Sequence, residues 1–162
     1  MKTILYSGIT ANGNYGSSDT GQMPKQEELD NLFNLANQVG NIIVGRKTYE
    51  IFNVDNIFSG YDTVVVSQQK IFEGIEIQKS PLDALNYLKR KKYEKVLVIG
   101  GVSLANSFLK EDLVNELYIN IEPYIEEGLR LDPLDGKFRS LQLLGYKELG
   151  SSGIVQLHYK ID

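Results

Sequence analysis

Apolar and polar residues follow two periods along this chain, and the period switches many times. Thr3–Thr10 alternates and predicts a strand. From Gln26 to Val39, Leu29, Leu32, Phe33, Ala36 and Val39 fall at i, i+3, i+4, i+7 and i+10, the apolar stripe of a helix. Asn41–Val44 is a short strand of the fully buried kind, and a short helix follows with Thr48 as its N-cap. Thr63–Ser67 is a Val-rich strand and Glu73–Gln78 a weaker one. Ser80-Pro81-Leu82-Asp83 marks a helix start: a capping serine, proline at the first helical position and an acid at the third. Leu82, Leu85 and Leu88 are expected to face inward from that helix. Lys95–Ile99 is a central strand, Val102–Leu109 a helix and Leu113–Ile121 a long strand. Leu141–Leu149 and Ile154–Ile161 flank Gly150-Ser151-Ser152-Gly153, the turn of a β-hairpin.

Strands that alternate with helices imply right-handed crossovers and a mainly parallel sheet with helices on both faces. The closing hairpin adds antiparallel strands at one edge. Ala11–Pro24, rich in Gly, Asn, Ser and Asp, is a long loop, of the kind that serves as a lid. A length of 162 residues fits one domain spanning the chain.

Composition narrows the chemistry. A net charge of −4 and a pI near 5.1 argue against a dedicated nucleic-acid binder. The basic run Lys89-Arg90-Lys91-Lys92 falls late in a helix, where cations suit the helix dipole. With no cysteine, disulfides, thiolate metal sites and cysteine nucleophiles are excluded. The one histidine, His158, sits in a strand with no second ligand nearby, so neither a histidine metal site nor a Ser-His triad is expected. No apolar stretch is long enough for a membrane span, and a cytoplasmic location is the expectation.

Two stretches carry the functional signal. Val44-Gly45-Arg46-Lys47-Thr48-Tyr49 and Val98-Ile99-Gly100-Gly101 each end an apolar strand and precede a helix. Each places glycine and a helix N-terminus at the carboxyl edge of a strand, where unpaired N–H groups suit phosphate. Two such ends in one small domain, one flanked by Arg46 and Lys47, point to a dinucleotide site.

These motifs, in this strand order, resemble the dihydrofolate reductase superfamily, which includes the reductase domain of the riboflavin-pathway enzyme RibD. The resemblance spans nearly the whole chain. It implies a three-layer α/β fold with a mainly parallel eight-stranded sheet and a C-terminal antiparallel hairpin. It also implies NADPH as cofactor, lying across the carboxyl edge. Gly45, Arg46, Lys47 and Thr48 then face the pyrophosphate and 2′-phosphate, with Ser67 and Gln68 beside the latter. Gly100 and Gly101 match a cis glycine pair in the family, and Val102, Ser103 and Leu104 follow with helix N–H groups.

On the substrate side the resemblance matches Glu28 to the carboxylate that holds the ring and assists protonation. Spacing agrees: Glu28 shares a helix face with Leu32 and Leu35. Asn120 matches the polar partner of that carboxylate, and Tyr6 and Ile99 match positions whose carbonyls line the ring pocket. Leu32 joins them as a substrate contact.

Three departures separate the chain from a folate enzyme. It has no tryptophan for the loop, with Lys25 near that place; Tyr61 and Asp62 stand where an arginine anchors the folate tail. Ile121-Glu122-Pro123, followed by Gly128, looks more like the RibD branch, although Asn12-Gly13 replaces that branch's usual Asp-Gly. The expected activity is therefore NADPH-dependent hydride transfer to a pterin-like or ribosylamino-pyrimidine substrate. Dihydrofolate reduction and a non-catalytic nucleotide-binding role stay open. Lys25 or Arg130 is the candidate for a substrate phosphate, and the resemblance implies a homodimer.

Overall fold

The structure, a computed structural model, describes residues 1–15, 23–69, 72–133 and 135–162. The elements run β1 (Lys2–Thr10), α1 (Gln26–Val39), β2 (Asn41–Gly45), α2 (Arg46–Phe52), β3 (Asp62–Val66), β4 (Glu76–Gln78) and α3 (Pro81–Arg90). Then follow β5 (Lys95–Ile99), α4 (Val102–Lys110), β6 (Glu116–Glu122), β7 (Leu141–Glu148) and β8 (Val155–Ile161). One eight-stranded sheet has the order β4-β3-β2-β5-β1-β6-β8-β7. From β4 to β6 every neighbouring pair is parallel, and β6–β8 and β8–β7 are antiparallel.

Burial explains why the central strands read as apolar runs. Ile42, Ile43 and Val44 are all wholly buried, because both faces of β2 are covered. One face packs Leu5, Ile43, Val64, Val96 and Val98 against Leu85 and Leu88 of α3 and Phe108 of α4. The other packs Ile4, Tyr6, Ile42, Val44 and Leu97 against Ala36 and Val39 of α1 and Tyr49 of α2. Each buried aliphatic side chain contributes roughly 1.5–3 kcal/mol.

The helix ends differ in how they are closed. Ser80 caps α3: its hydroxyl accepts from the Asp83 N–H at 3.1 Å, and Pro81 takes the first position. α1 ends at Gly40 in the left-handed region (φ 79°), whose N–H reaches the Ala36 carbonyl. α2 and α4 begin at Gly45 and Gly101 with no side-chain cap.

Four boundaries or orientations differ from the sequence reading. Leu82 is half exposed, because the inward stripe of α3 is Pro81, Ala84, Leu85 and Leu88. β6 starts at Glu116, since residues 111–115 form a turn in which Asp112 has a positive φ of 54°. That turn is pinned by Asn115, whose N–H donates to Thr3 O at 2.9 Å and whose Oδ1 accepts from Thr3 N at 2.8 Å. β4 covers only Glu76–Gln78, because it pairs with β3 over three registers. α2 begins at Arg46, so Thr48 lies inside the helix rather than at its cap.

Candidate active site

The parallel register brings the two glycine-bearing ends side by side. Val44 of β2 pairs with Ile99 of β5, so Gly45 and Gly100 leave the sheet next to each other. Gly100 has φ 130°, a region open to glycine. A Cβ there would lie 3.3 Å from the Gly45 nitrogen and 3.3 Å from Thr48 Oγ1. The hydroxyl of Thr48 accepts from the Gly101 N–H at 3.0 Å, joining the start of α4 to the first turn of α2. That is the work of the threonine expected as a cap. No peptide bond among the described residues is cis, so Gly100–Gly101 is trans, against the cis pair implied by the resemblance. With Gly100 at φ 130° and Gly101 extended, the chain turns into α4 on a trans bond.

The remaining residues of the expected cofactor groove fall along this edge. Arg46 donates from Nη1 to Glu50 at 3.0 Å across one helical turn, and Lys47 is exposed beside it. Gly45 also pairs with Val66, which places Ser67 next along the edge. The Ser67 N–H donates to Gln78 O at 2.9 Å, and exposed Gln68 donates from Nε2 to Lys79 O at 2.8 Å. Ser103 is exposed on the first turn of α4, whereas Ile99 and Leu104 are buried under the groove. A Cβ on Gly45 would make an ordinary contact with Leu104 Cβ at 3.7 Å, which shows how near α4 lies to the end of β2. Val102 opens α4, which has a free end for phosphate oxygens where α3 has a capped one. Uncapped glycine turns, the Arg46 cation and adjacent hydroxyls fit a dinucleotide phosphate.

Two strands along the edge from β5, at β6, long-range contacts assemble a buried polar pocket. Glu28, only 7% exposed, comes from the first turn of α1. Asn120, wholly buried on β6, donates from Nδ2 to Glu28 Oε1 at 2.7 Å and to the Tyr6 hydroxyl at 2.8 Å. The Tyr6 hydroxyl donates to the Glu28 carbonyl at 3.2 Å and accepts from Asn31 Nδ2 at 3.2 Å. Gln156 Nε2 on β8 donates to Asn120 Oδ1 at 2.8 Å, fixing which end of the amide faces Glu28. Burial raises the Tyr6 pKa far above its ordinary value, so the phenol stays neutral. Leu32 is half-buried against the same core face as Tyr6.

The sequence reading named Glu28, Asn120, Tyr6 and Leu32 but missed Glu122, Tyr15, Gln156 and Asn31. Glu122 was findable, because it lies two residues beyond Asn120 on a strand and therefore on the same face. Tyr15 had no local signal. Its backbone bridges Ile9 and Leu129, and its hydroxyl donates to the Gly100 carbonyl, linking pocket and groove. Burial pushes its pKa up to about 12. Residues 16–22 of the expected lid lie outside the described residues, but its first part is held in place. Asn12 Nδ2 donates to Glu126 O at 3.0 Å, and its Oδ1 accepts from the Glu126 N–H at 3.3 Å. This two-way clasp needs an amide, since an aspartate has no donor. His158 is structural: it stacks on Tyr118 with ring centroids 3.9 Å apart and meets Glu116 at 3.1 Å.

Comparisons with known proteins bear on the fold and the family. Residues 18–151 match the family model of the RibD C-terminal domain. The chain is 28% identical to Uncharacterized protein YwjB of Bacillus subtilis (strain 168), over 98% of this chain and 97% of that one. Among solved structures it is similar to a candidate riboflavin biosynthesis protein of Shewanella sp. PV-4, with TM-score 0.79 and 22% identity over 100% of this chain and 99% of that one. It is also similar to a pyrimidine reductase-like protein of Corynebacterium diphtheriae, with TM-score 0.79 and 18% identity over 99% and 92%. These likenesses show the fold expected from the sequence, that of the dihydrofolate reductase-like proteins.

Proposed function

The chain belongs to the RibD C-terminal domain family, and from that premise we propose that it is an NADPH-dependent reductase acting on a ribosylamino-pyrimidine or pterin-like substrate. The observation that carries this reading is the placement of two unlike sites on one carboxyl edge. An uncapped glycine groove lies at β2 and β5, and a buried carboxyl–amide pair lies between α1 and β6. A bound reduced nicotinamide supplies hydride; the chain positions the reactants and manages charge and protons. Arg46, Lys47, Ser67 and Gln68 form the polar flank for a 2′-phosphate, with Arg46 offering a forked cation. Val102, Ser103 and Leu104 present the helix end to the pyrophosphate. Glu28, oriented by Asn120, is the catalytic acid and ring anchor, and Tyr6 and Leu32 line the pocket.

A riboflavin-type substrate fits better than folate at one point. Where a folate tail needs a cation, Asp62 already takes Lys91 Nζ at 2.6 Å and the Tyr93 hydroxyl at 2.6 Å. Arg130, whose Nε donates to Asn14 at 3.2 Å beside Tyr15, is the better candidate for a ribose phosphate. Lys25 is occupied in part by the Ser152 carbonyl at 2.7 Å. The apolar residues exposed on β7, Leu141, Leu143, Leu144 and Tyr146, support the homodimer reading, which light scattering tests.

The test is nucleotide titration followed by turnover. NADPH should bind tighter than NADH, and Arg46→Ala should remove that preference. Oxidation of NADPH is expected with 5-amino-6-(5-phosphoribosylamino)uracil and not with dihydrofolate. Nucleotide binding without turnover of either substrate moves the chain to the non-catalytic class; turnover of dihydrofolate alone moves it to the folate enzymes.

A further inference from the structure

Glu122 has a part in the pocket that its neighbours define. It lies two residues from Asn120 on β6 and is 7% exposed, as buried as Glu28. A Cβ on Gly8 would lie 3.1 Å from Glu28 Oε1 and 3.8 Å from Glu122 Oε1. The bare backbone of β1 thus leaves room for two buried carboxyls to approach each other over one point. Two buried carboxylates brought this close repel each other, so the pair favours a state in which one carries a proton and can donate it to the other.

We propose that Glu122 is a positioning residue for Glu28: the two carboxyls hold one proton between them over Gly8, and that proton is the one the site gives to a bound acceptor. The second half rests on the reductase reading given above. Among the described residues, charged and titratable groups from several elements bear on the pair. Lys25, before α1, favours the charged form, and Glu28 opposes it. From β1 comes the neutral phenol of Tyr6, Tyr15 follows beyond β1 on the Glu28 side, and Tyr124 follows beyond Glu122; β8 presents the uncharged amide of Gln156. Burial and Glu28 outweigh Lys25 and push Glu122 up to about 8, so the pair keeps its proton at neutral pH.

The chemistry balances for an acceptor with a C=N bond. A bound reduced nicotinamide would supply hydride for the new C–H bond, being itself oxidised, and the π electron pair would move to nitrogen. The proton of the pair would form the N–H bond. Two facing carboxylates remain, held on one side by Asn120, and their repulsion draws the replacement proton from water. The ligand class is a neutral imine or C=N heterocycle with an accepting nitrogen, rather than one already cationic.

The experiment needs no turnover. The full chain, carrying 13C at the glutamate side-chain carboxyls, is titrated by NMR from pH 4 to 10. One carboxyl step is expected near pH 8, and it should vanish in both Glu122→Gln and Glu28→Gln. Glutamates that all titrate below about pH 6 in the unsubstituted chain overturn the proposal, as does a high step that survives both substitutions. Where a variant fails to fold, the unsubstituted spectrum assigned through bonds decides alone. In the loaded enzyme, Glu122→Gln should move the alkaline limb of the kcat profile toward the ordinary carboxyl range while the KM for NADPH stays unchanged. A chain with the step but no NADPH binding loses the proposed function and keeps the shared proton; NADPH binding without the step does the reverse.

Discussion

The groove at β2 and β5 and the pocket between α1 and β6 lie on one sheet edge and are built on opposite principles. The groove consists of missing side chains and uncapped helix ends, with exposed polar residues on its rim. The pocket consists of buried side chains that satisfy one another from Asn31 through Tyr6, Asn120 and Gln156. A surface that takes a phosphate from water must keep its donors within reach of solvent. A pocket that holds a charge away from water must supply every partner itself, because an unpaired buried polar group is costly. Stability and binding should therefore separate between the two regions.

The largest effect is expected from Asn120→Leu. It removes the donor to the buried Glu28 carboxyl at 2.7 Å and leaves Gln156 unpaired. Loss of a hydrogen bond to a charged group together with a buried orphan costs about 3 kcal/mol, read from urea unfolding at pH 7. A loss below about 1 kcal/mol would break the contrast, since the pocket would then be no more demanding than the rim.

Gly100→Ala comes next, at roughly 1–3 kcal/mol for a side chain forced into its φ of 130°. Its Cβ must also displace Thr48 Oγ1, so nucleotide affinity should fall with stability. Parallel calorimetry of unfolding and of NADPH binding separates the two.

The pH dependence of stability sharpens the comparison from the pocket side. Glu122 has a folded pKa near 8, above the ordinary carboxyl value of 4.5. Between those values the folded chain binds more protons than the unfolded one, so this group makes stability fall as pH rises. The effect is absent below pH 4.5 and complete above about 8. Urea midpoints at pH 5.5 and 8.5 should decline in the unsubstituted chain and decline less in Glu122→Gln. Equal declines would show that Glu122 does not supply the slope.

The smallest effect on stability belongs to the groove. Arg46→Ala removes an exposed ion pair with Glu50 and should change stability by no more than about 0.5 kcal/mol. Its affinity for NADPH should nevertheless fall about tenfold, the equivalent of about 1.4 kcal/mol. A stability loss comparable to that of Asn120→Leu would erase the distinction between groove and pocket.

The same contrast governs what could be read from the sequence. Gly45 and Gly100 were legible because a strand end, a glycine and a helix start are neighbours in the chain. α1 was legible to the residue, since its stripe and Gly40 mark it locally. Leu82 was misplaced because two helical stripes overlap at the first turn of α3, and packing against the sheet chose the one through Ala84. Thr48 was given a cap's role because a threonine before a helix is normally a cap. Its real partner, the Gly101 N–H, comes from the neighbouring strand end.

By itself the sequence determined the order of elements, the layered α/β architecture and the two phosphate-ready strand ends. Periodicity, turn chemistry and helix starts are local properties, and local properties are written in the chain. Only the tertiary structure decided that Tyr15 ties the pocket to Gly100, that Gln156 orients Asn120, and that Glu28 and Glu122 face each other across Gly8. Those partners come from β1 and the loop after it, α1, the end of β5, β6 and β8, and their distances depend on how strands pair and helices dock. Hydrogen bonding and proton sharing change over fractions of an ångström, a scale that packing sets and residue spacing does not.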